Sequence, residues 1–271
     1  MRASRWIHTW RWPLALLALG AVLLHETAIH VSAETIPVSC DVSELVNAIT
    51  TANGNGEADV LILEAGCTYS LTASNQTDPD GYGPVGLPPI VSPMTIQGNG
   101  ATIQRDSGTF RLFYVAVGGD LTLEALTLSN GRAQGFNGGD GAGGGGGGGS
   151  AGMGGAIFNR GMLTIKQSTL SGHTAMGGGI TITGTAPGGG GGGGLGGNGS
   201  SNGTGVGGNG GGINGGLGAT GTTGAPGGAG GEGGGGGGGT RNLNGIGGAG
   251  GAGGFGGGGG GGGFGAQESN G

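Results

Sequence analysis

The side chains able to do chemistry are few, and most fall in one stretch: Arg105-Asp106, Arg111, Asp120, Glu124 and Arg132. Residues of these types can cleave polysaccharides, either with paired carboxylates or with calcium and arginine. They work only where acid and base converge. After Asp140 the only acidic residues are Glu232 and Glu268, so a long groove would be poorly equipped. Asp78-Pro79-Asp80-Gly81 could supply an oxygen-rich loop but reads as a solvated turn, and Gly138-Gly139-Asp140-Gly141 only faintly echoes a calcium-binding glycine repeat. Nucleophilic hydrolysis wants a nucleophile, a base and an orienter. His173 is the only histidine after residue 33 and reads as a polar corner residue; no G-x-S-x-G elbow occurs. The expectation is a protein without a catalytic site, cofactor or metal.

Cys40 and Cys67 are the only cysteines. In an oxidising compartment such a pair reads as a disulfide rather than a zinc site, since His173 is the one further nitrogen ligand. The compartment follows from the N-terminus. Arg2, Arg5 and Arg11 precede an uncharged apolar run, Pro13–Leu24, and a stretch ending Val31-Ser32-Ala33 before Glu34. Small residues at 31 and 33 suit cleavage between Ala33 and Glu34, and the run is shorter than the ~20 residues needed to span a bilayer. Residues 1–33 therefore read as a signal peptide, with no membrane span after its removal. The remainder carries six basic and fourteen acidic residues, a net charge of −8. That argues against nucleic acid and against an anionic membrane as partners.

The elements that would position these groups begin with a helix. Asp41 and Glu44 form a capping box, Val42, Leu45, Val46 and Ile49 recur at helical spacing, and Asn53-Gly54 supplies a stop. Short apolar or alternating runs follow at 60–63, 68–71, 94–96, 101–103, 110–117, 121–123, 126–128 and 163–165, separated by Asn, Gly, Asp and Ser. An internal repeat organises them. Gly119–Gly135 overlays Gly161–Gly177 at an offset of 42 with 8 of 17 positions identical, and Gly154–Ile157 is echoed by Gly177–Ile180. Repeated strands with sharp corners and no helices between them predict a parallel β-solenoid. The inward set would be Leu121, Leu123, Leu126, Leu128, Leu163, Ile165 and Leu170, with the helix plugging the N-terminal end.

Cys40–Ile49, Ala52-Asn53 and Ala58–Leu63 resemble the opening of secreted bacterial right-handed parallel β-helix proteins of the pectate-lyase-like fold. Met94–Ile103 and Leu121–Gly131 look like the first coils of such proteins. Gly154-Gly155-Ala156-Ile157, followed by Phe158-Asn159, is similar to the repeat of polymorphic outer-membrane and autotransporter-like proteins. The resemblance covers about residues 40–183. It implies an all-β right-handed parallel β-helix of few coils, on or outside the cell surface, but not lyase activity.

Glycine divides the chain. It supplies 83 of 271 residues and 51 of the 88 from Gly184 onward. The run 138–155 reads as a loop expanded on one side of the helix. Glycine buries no side chain and loses the most entropy on ordering, so 184–271 reads as a flexible, disordered, low-complexity tail. Stacked polyglycine helices of polyproline type are the ordered alternative, and Gly-Gly-Ala-Gly-Gly near residue 250 resembles glycine-rich repeats of mycobacterial surface proteins.

The reading is thus a signal peptide (1–33), a β-helix segment (34–183) and a glycine-rich tail (184–271). It describes a secreted or cell-surface structural or adhesive protein, with extracellular polysaccharide or surface components as partners. The alternatives are a polysaccharide lyase or hydrolase of the same fold, or a fragment of a larger autotransporter-like protein. An adhesin would show uncharged polar ladders, as Thr122, Thr127, Ser129, Thr164 and Thr169 suggest. Asn75, Asn198 and Asn202 lie in sequons.

Overall fold

A computed structural model describes residues 33–265 except 78, 142, 181–187, 202–204 and 222. The expected signal peptide, save Ala33, lies outside the described residues. From Glu34 onward the backbone is already engaged, the Glu34 carbonyl accepting from the N–H of Val60 at 2.8 Å.

The elements run β1 (Thr35–Val38), α1 (Val42–Asn55), β2 (Asp59–Leu63), β3 (Thr68–Leu71), β4 (Gln76–Thr77), β5 (Pro84–Val85), β6 (Pro93–Gln97) and β7 (Thr102–Arg105). There follow β8 (Phe113–Val115), β9 (Asp120–Glu124), β10 (Thr127–Ser129), β11 (Arg132–Gln134), β12 (Ile157–Asn159), β13 (Met162–Lys166), β14 (Thr169–Ser171) and β15 (Thr174–Met176). The chain is mostly β, and every pairing except β4 with β5 is parallel. One sheet stacks β1-β2-β6-β9-β13, a second β3-β7-β10-β14, and two smaller ones pair β8 with β12 and β11 with β15. Each pass from β2 onward thus adds one strand to the first sheet and one to the second. The repeat seen at an offset of 42 is the stacking register: Leu121 faces Leu163, Leu128 faces Leu170 and Ala133 faces Ala175. The weaker echo of 154–157 in 177–180 has no counterpart in the pairing. Gly178 and Gly179 bond instead to Ser150 and Gly138.

Alternation in the short strands becomes interior columns. Leu61, Ile96, Leu123 and Ile165 form one, and Tyr69, Ile103, Leu128 and Leu170 another. Leu121, Leu123, Leu126 and Leu128 are buried as expected. Leu163, Ile165 and Leu170 hold the same columns, yet Ile165 and Leu170 are 41% and 42% exposed. Among the described residues no further pass covers β13–β15. The opposite end is closed by α1, whose Leu45, Ala48, Ile49 and Ala52 are buried over β1–β3. Asp41 caps α1, accepting from the N–H groups of Ser43 and Glu44. The helix passes the expected stop at Asn53-Gly54 and ends at Gly56, which takes the left-handed conformation (φ 74°). Asn53 is held otherwise: its amide donates to Pro89 O at 2.7 Å and its Oδ1 accepts from Val91 N at 3.0 Å. A disulfide joins Cys40 to Cys67, with Cα atoms 5.6 Å apart.

The glycine-rich remainder overturns the expectation of a disordered tail over the described residues. Its segments lie side by side with a hydrogen-bond pattern of period three. Within 188–195, Gly189, Gly192 and Leu195 donate to Gly239, Gly236 and Gly233, and Gly190 and Gly193 donate to Gly145 and Gly148. Gly191 donates to Ser200. In return Gly208 and Gly211, Gly258 and Gly261, and Gly139 donate into the segment. Successive residues therefore address neighbours about 120° apart, the three-residue turn of a polyproline-type helix. Segment 188–195 is bonded to 136–141, 143–152, 197–201, 205–212, 233–241 and 256–265. Segment 233–241 is bonded to 188–195, 205–212, 214–220, 223–232, 246–254 and 256–265. Both sit at the centre of a hexagon, and residues 188–195 and 233–240 are buried throughout. The hexagons share an edge and build three layers: 197–201, 205–212 and 214–220; then 136–141, 188–195, 233–241 and 223–232; then 143–152, 256–265 and 246–254. The insertion at 138–155 is accordingly part of this lattice rather than a loop. The entropy lost by glycine is offset because its missing side chain admits the neighbouring carbonyls. A Cβ at Gly189, Gly192, Gly235 or Gly238 would meet a backbone oxygen of an adjoining segment well inside 3.0 Å.

Candidate functional site

The second sheet presents a regular polar face. Its outward residues align into two columns, Thr68-Thr102-Thr127-Thr169 and Ser70-Gln104-Ser129-Ser171. Column neighbours are separated by the strand spacing of about 4.8 Å, and the two columns by two residues of strand, about 6.7 Å. Gln104 donates to the Ser70 hydroxyl at 2.9 Å. A third column, Thr95-Thr122-Thr164, lies on the first sheet. The stacking register produces these columns, because the threonines recur at equivalent positions of each pass. Such a face offers both donors and acceptors at fixed intervals without formal charge.

The face turns a corner at Asn130 (φ 61°) into β11. Arg105 holds the corner, donating to Asn130 O at 2.6 Å and Gly108 O at 2.9 Å. Below the turn is a cleft of about 380 Å³ between the strands and the glycine lattice, lined by Pro84, Thr109, Arg111, Arg132–Asn137 and Asn198. Arg111 is buried; it donates to Tyr82 O at 3.0 Å and lies 5.1 Å from the Phe158 ring centre, so it clamps the 82–84 loop.

A separate cluster locks the lattice to the strands. Arg160 pairs with Asp80 at 3.1 Å and with Glu232 at 3.9 Å, and sits 5.0 Å over the Tyr82 ring. Tyr114 donates to Asp80, and Tyr82 to Glu232 at 3.3 Å. Phe158 packs edge-on against Tyr82 at 5.0 Å and stacks with Tyr114 at 5.9 Å, beside buried Leu195. Burial pushes the Tyr82 phenol up from its ordinary range. Asp80 is therefore an interface residue and not a solvated turn; Asp78 lies outside the described residues. Arg160 and Tyr82 had no sequence signal, because they meet at Glu232, 150 residues beyond Tyr82, whereas Phe158 was visible only as part of the Gly154–Asn159 repeat.

The residues that suggested polysaccharide cleavage are not brought together. Asp120 and Glu124 occupy the two ends of β9, about 13 Å apart along the strand, on the first sheet. Asp106 follows β7 on the second sheet, and Arg111 is sequestered. Among the described residues no three of His, Cys, Asp and Glu gather as metal ligands. His173 is a corner residue: Nδ1 accepts from Gly131 N–H at 2.9 Å and Nε2–H donates to Leu128 O at 3.2 Å. Burial lowers its pKa below the usual histidine range, against the raising effect of the Leu128 carbonyl. Asp140 is buried in the lattice, its N–H bonded to the Ser201 hydroxyl. No helix among the described residues is long and apolar enough to cross a membrane. No protein-family model, curated protein or solved structure matches the chain.

Proposed function

We propose that this is a secreted, non-enzymatic surface protein: a short right-handed parallel β-helix extended by a polyglycine lattice, which adheres to extracellular polysaccharide or other surface material. The hydroxyl array of the second sheet carries this reading, since a rigid, repetitive, uncharged face suits a repetitive, uncharged polymer. The right-handed sense follows from the general rule for parallel crossovers. The disulfide fits an oxidising compartment, and with it export by the leader. Two hydrogen-bonded bodies stitched through Arg160 and Leu195 give the stiffness that display requires.

The test is retention of the chain from Glu34 onward, produced in an oxidising compartment, on a panel of insoluble plant and microbial polysaccharides. Release of reducing or unsaturated ends is followed in parallel, with and without calcium. Binding without turnover, weakened when Thr102 and Thr127 are both replaced by lysine, supports the adhesive reading. Product formation that Asp106→Ala or Asp120→Ala abolishes would overturn it in favour of an enzyme.

A further inference from the structure

The cleft between β11 and the glycine lattice differs in chemistry from the hydroxyl face. None of its lining residues is acidic, and two are cations: Arg111, which is buried, and Arg132, which is half-buried. The Arg132 Nε is buried without a hydrogen-bond partner. Its Nη2 makes only two long contacts, to Gln134 Oε1 at 3.4 Å and to Met176 Sδ at 3.5 Å. No ion pair neutralises it among the described residues. The Nε has thus lost water without gaining a partner, while the rest of the half-buried guanidinium lines the cleft with its charge unneutralised, which favours an arriving anion.

Two amides extend the donor set. The Asn137 Oδ1 accepts from Gly179 N–H at 2.8 Å, and the Asn198 Oδ1 accepts from Asn137 N–H at 2.8 Å. With both oxygens occupied, the Nδ2 groups are the atoms left for a ligand. Phe136 adds an apolar wall, and about 380 Å³ falls in the range of small-molecule sites.

We propose that this cleft binds an oxyanion, carboxylate or sulfate, borne on a sugar, with Arg132 as the anion's partner and Phe136 against the ring. The sugar rests on the proposed surface role; the selectivity for an anion stands on the cleft alone.

Calorimetry with three soluble probes tests it: a neutral glucose oligomer, a galacturonate oligomer and a sulfated galactose oligomer. One or both acidic probes should bind, more weakly as ionic strength rises, and the neutral one should not. Which acidic probe binds assigns the source of the anion. Arg132→Gln should weaken that binding about 10- to 100-fold, the usual worth of a charge-assisted hydrogen bond, while Arg132→Lys retains part of it. Equal binding of the neutral probe, no binding of either acidic probe, or indifference to Arg132→Gln would overturn the proposal. If the wild type is retained on insoluble polysaccharide but binds neither acidic probe, the cleft proposal falls and the hydroxyl-face reading stands.

Discussion

Gly192 donates its N–H to the carbonyl of Gly236 at 2.7 Å, while its α-carbon faces the Gly258 carbonyl of a third segment with no room for a methyl group. One residue thus touches two neighbours through atoms that every amino acid has and a space that only glycine leaves. Gly192→Ala should destabilise the protein by about 1–3 kcal/mol, the cost of overpacking a tight interior. Gly259 and Gly262 lie on the outer layer, where an added Cβ would meet only an ordinary contact at 3.6 and 3.5 Å. Gly259→Ala should be neutral, or stabilising by about 0.5 kcal/mol through the unfolded chain. Urea denaturation of the two variants reads this contrast directly.

The Cys40–Cys67 bridge closes a separation of 27 residues and ties β1 and the start of α1 to β3. On the chain-entropy model its loss costs about 3–4 kcal/mol. Replacing both cysteines by serine should lower the denaturation midpoint accordingly, and added reductant should then shift the variant no further.

Ala125 occupies the left-handed region (φ 50°) at the corner between β9 and β10, as Gln167 does (φ 48°) one pass later. A non-glycine residue there is strained by about 1–2 kcal/mol, of which glycine's greater freedom when unfolded takes back part. Ala125→Gly should therefore stabilise by about 0.5–1 kcal/mol, measured as a rise in thermal midpoint.

His173 is neutral in the fold, because burial disfavours the charge and Nδ1 accepts a backbone hydrogen bond. Its pKa is lowered relative to the unfolded value of about 6.5, so the unfolded chain takes up the proton first. The stability it confers is complete above about pH 6.5 and falls as the pH drops below that value toward the folded pKa. Between pH 7 and 5 the thermal midpoint of the wild type should fall more steeply than that of His173→Asn. Parallel slopes would remove His173 as the cause.

The strand half of the molecule was legible because its signals are local or repeat. Alternation at 121–128, the offset of 42 and the Asp41 cap each survive into structure with their residues unchanged. The corner role of His173 was readable from its isolation. The lattice was not legible, because composition gives the entropic cost of ordering glycine and hides the return. That return comes from pairs such as Gly139 and Gly191, or Gly145 and Gly262, which have no pattern along the chain. The period of three was faintly visible in 246–255, where Ile246, Ala249, Ala252 and Phe255 are spaced three apart on the outward side. The cleft was hidden for a related reason. Arg132 was named for its charge, but Asn137 and Asn198 reach the same cavity only because two lattice segments meet there.

A core built of peptide groups has an unusual thermal signature. Unfolding ordinary interiors exposes hydrocarbon and raises the heat capacity, whereas exposing peptide lowers it. The segments 188–194 and 233–239 are glycine throughout, so their melting contributes little or nothing to the heat-capacity change. The β-half, with its leucine and isoleucine columns, contributes the usual positive amount. The lattice therefore has a flatter stability curve than the body it is joined to, and on cooling, where hydrophobic cores weaken, it keeps its hold.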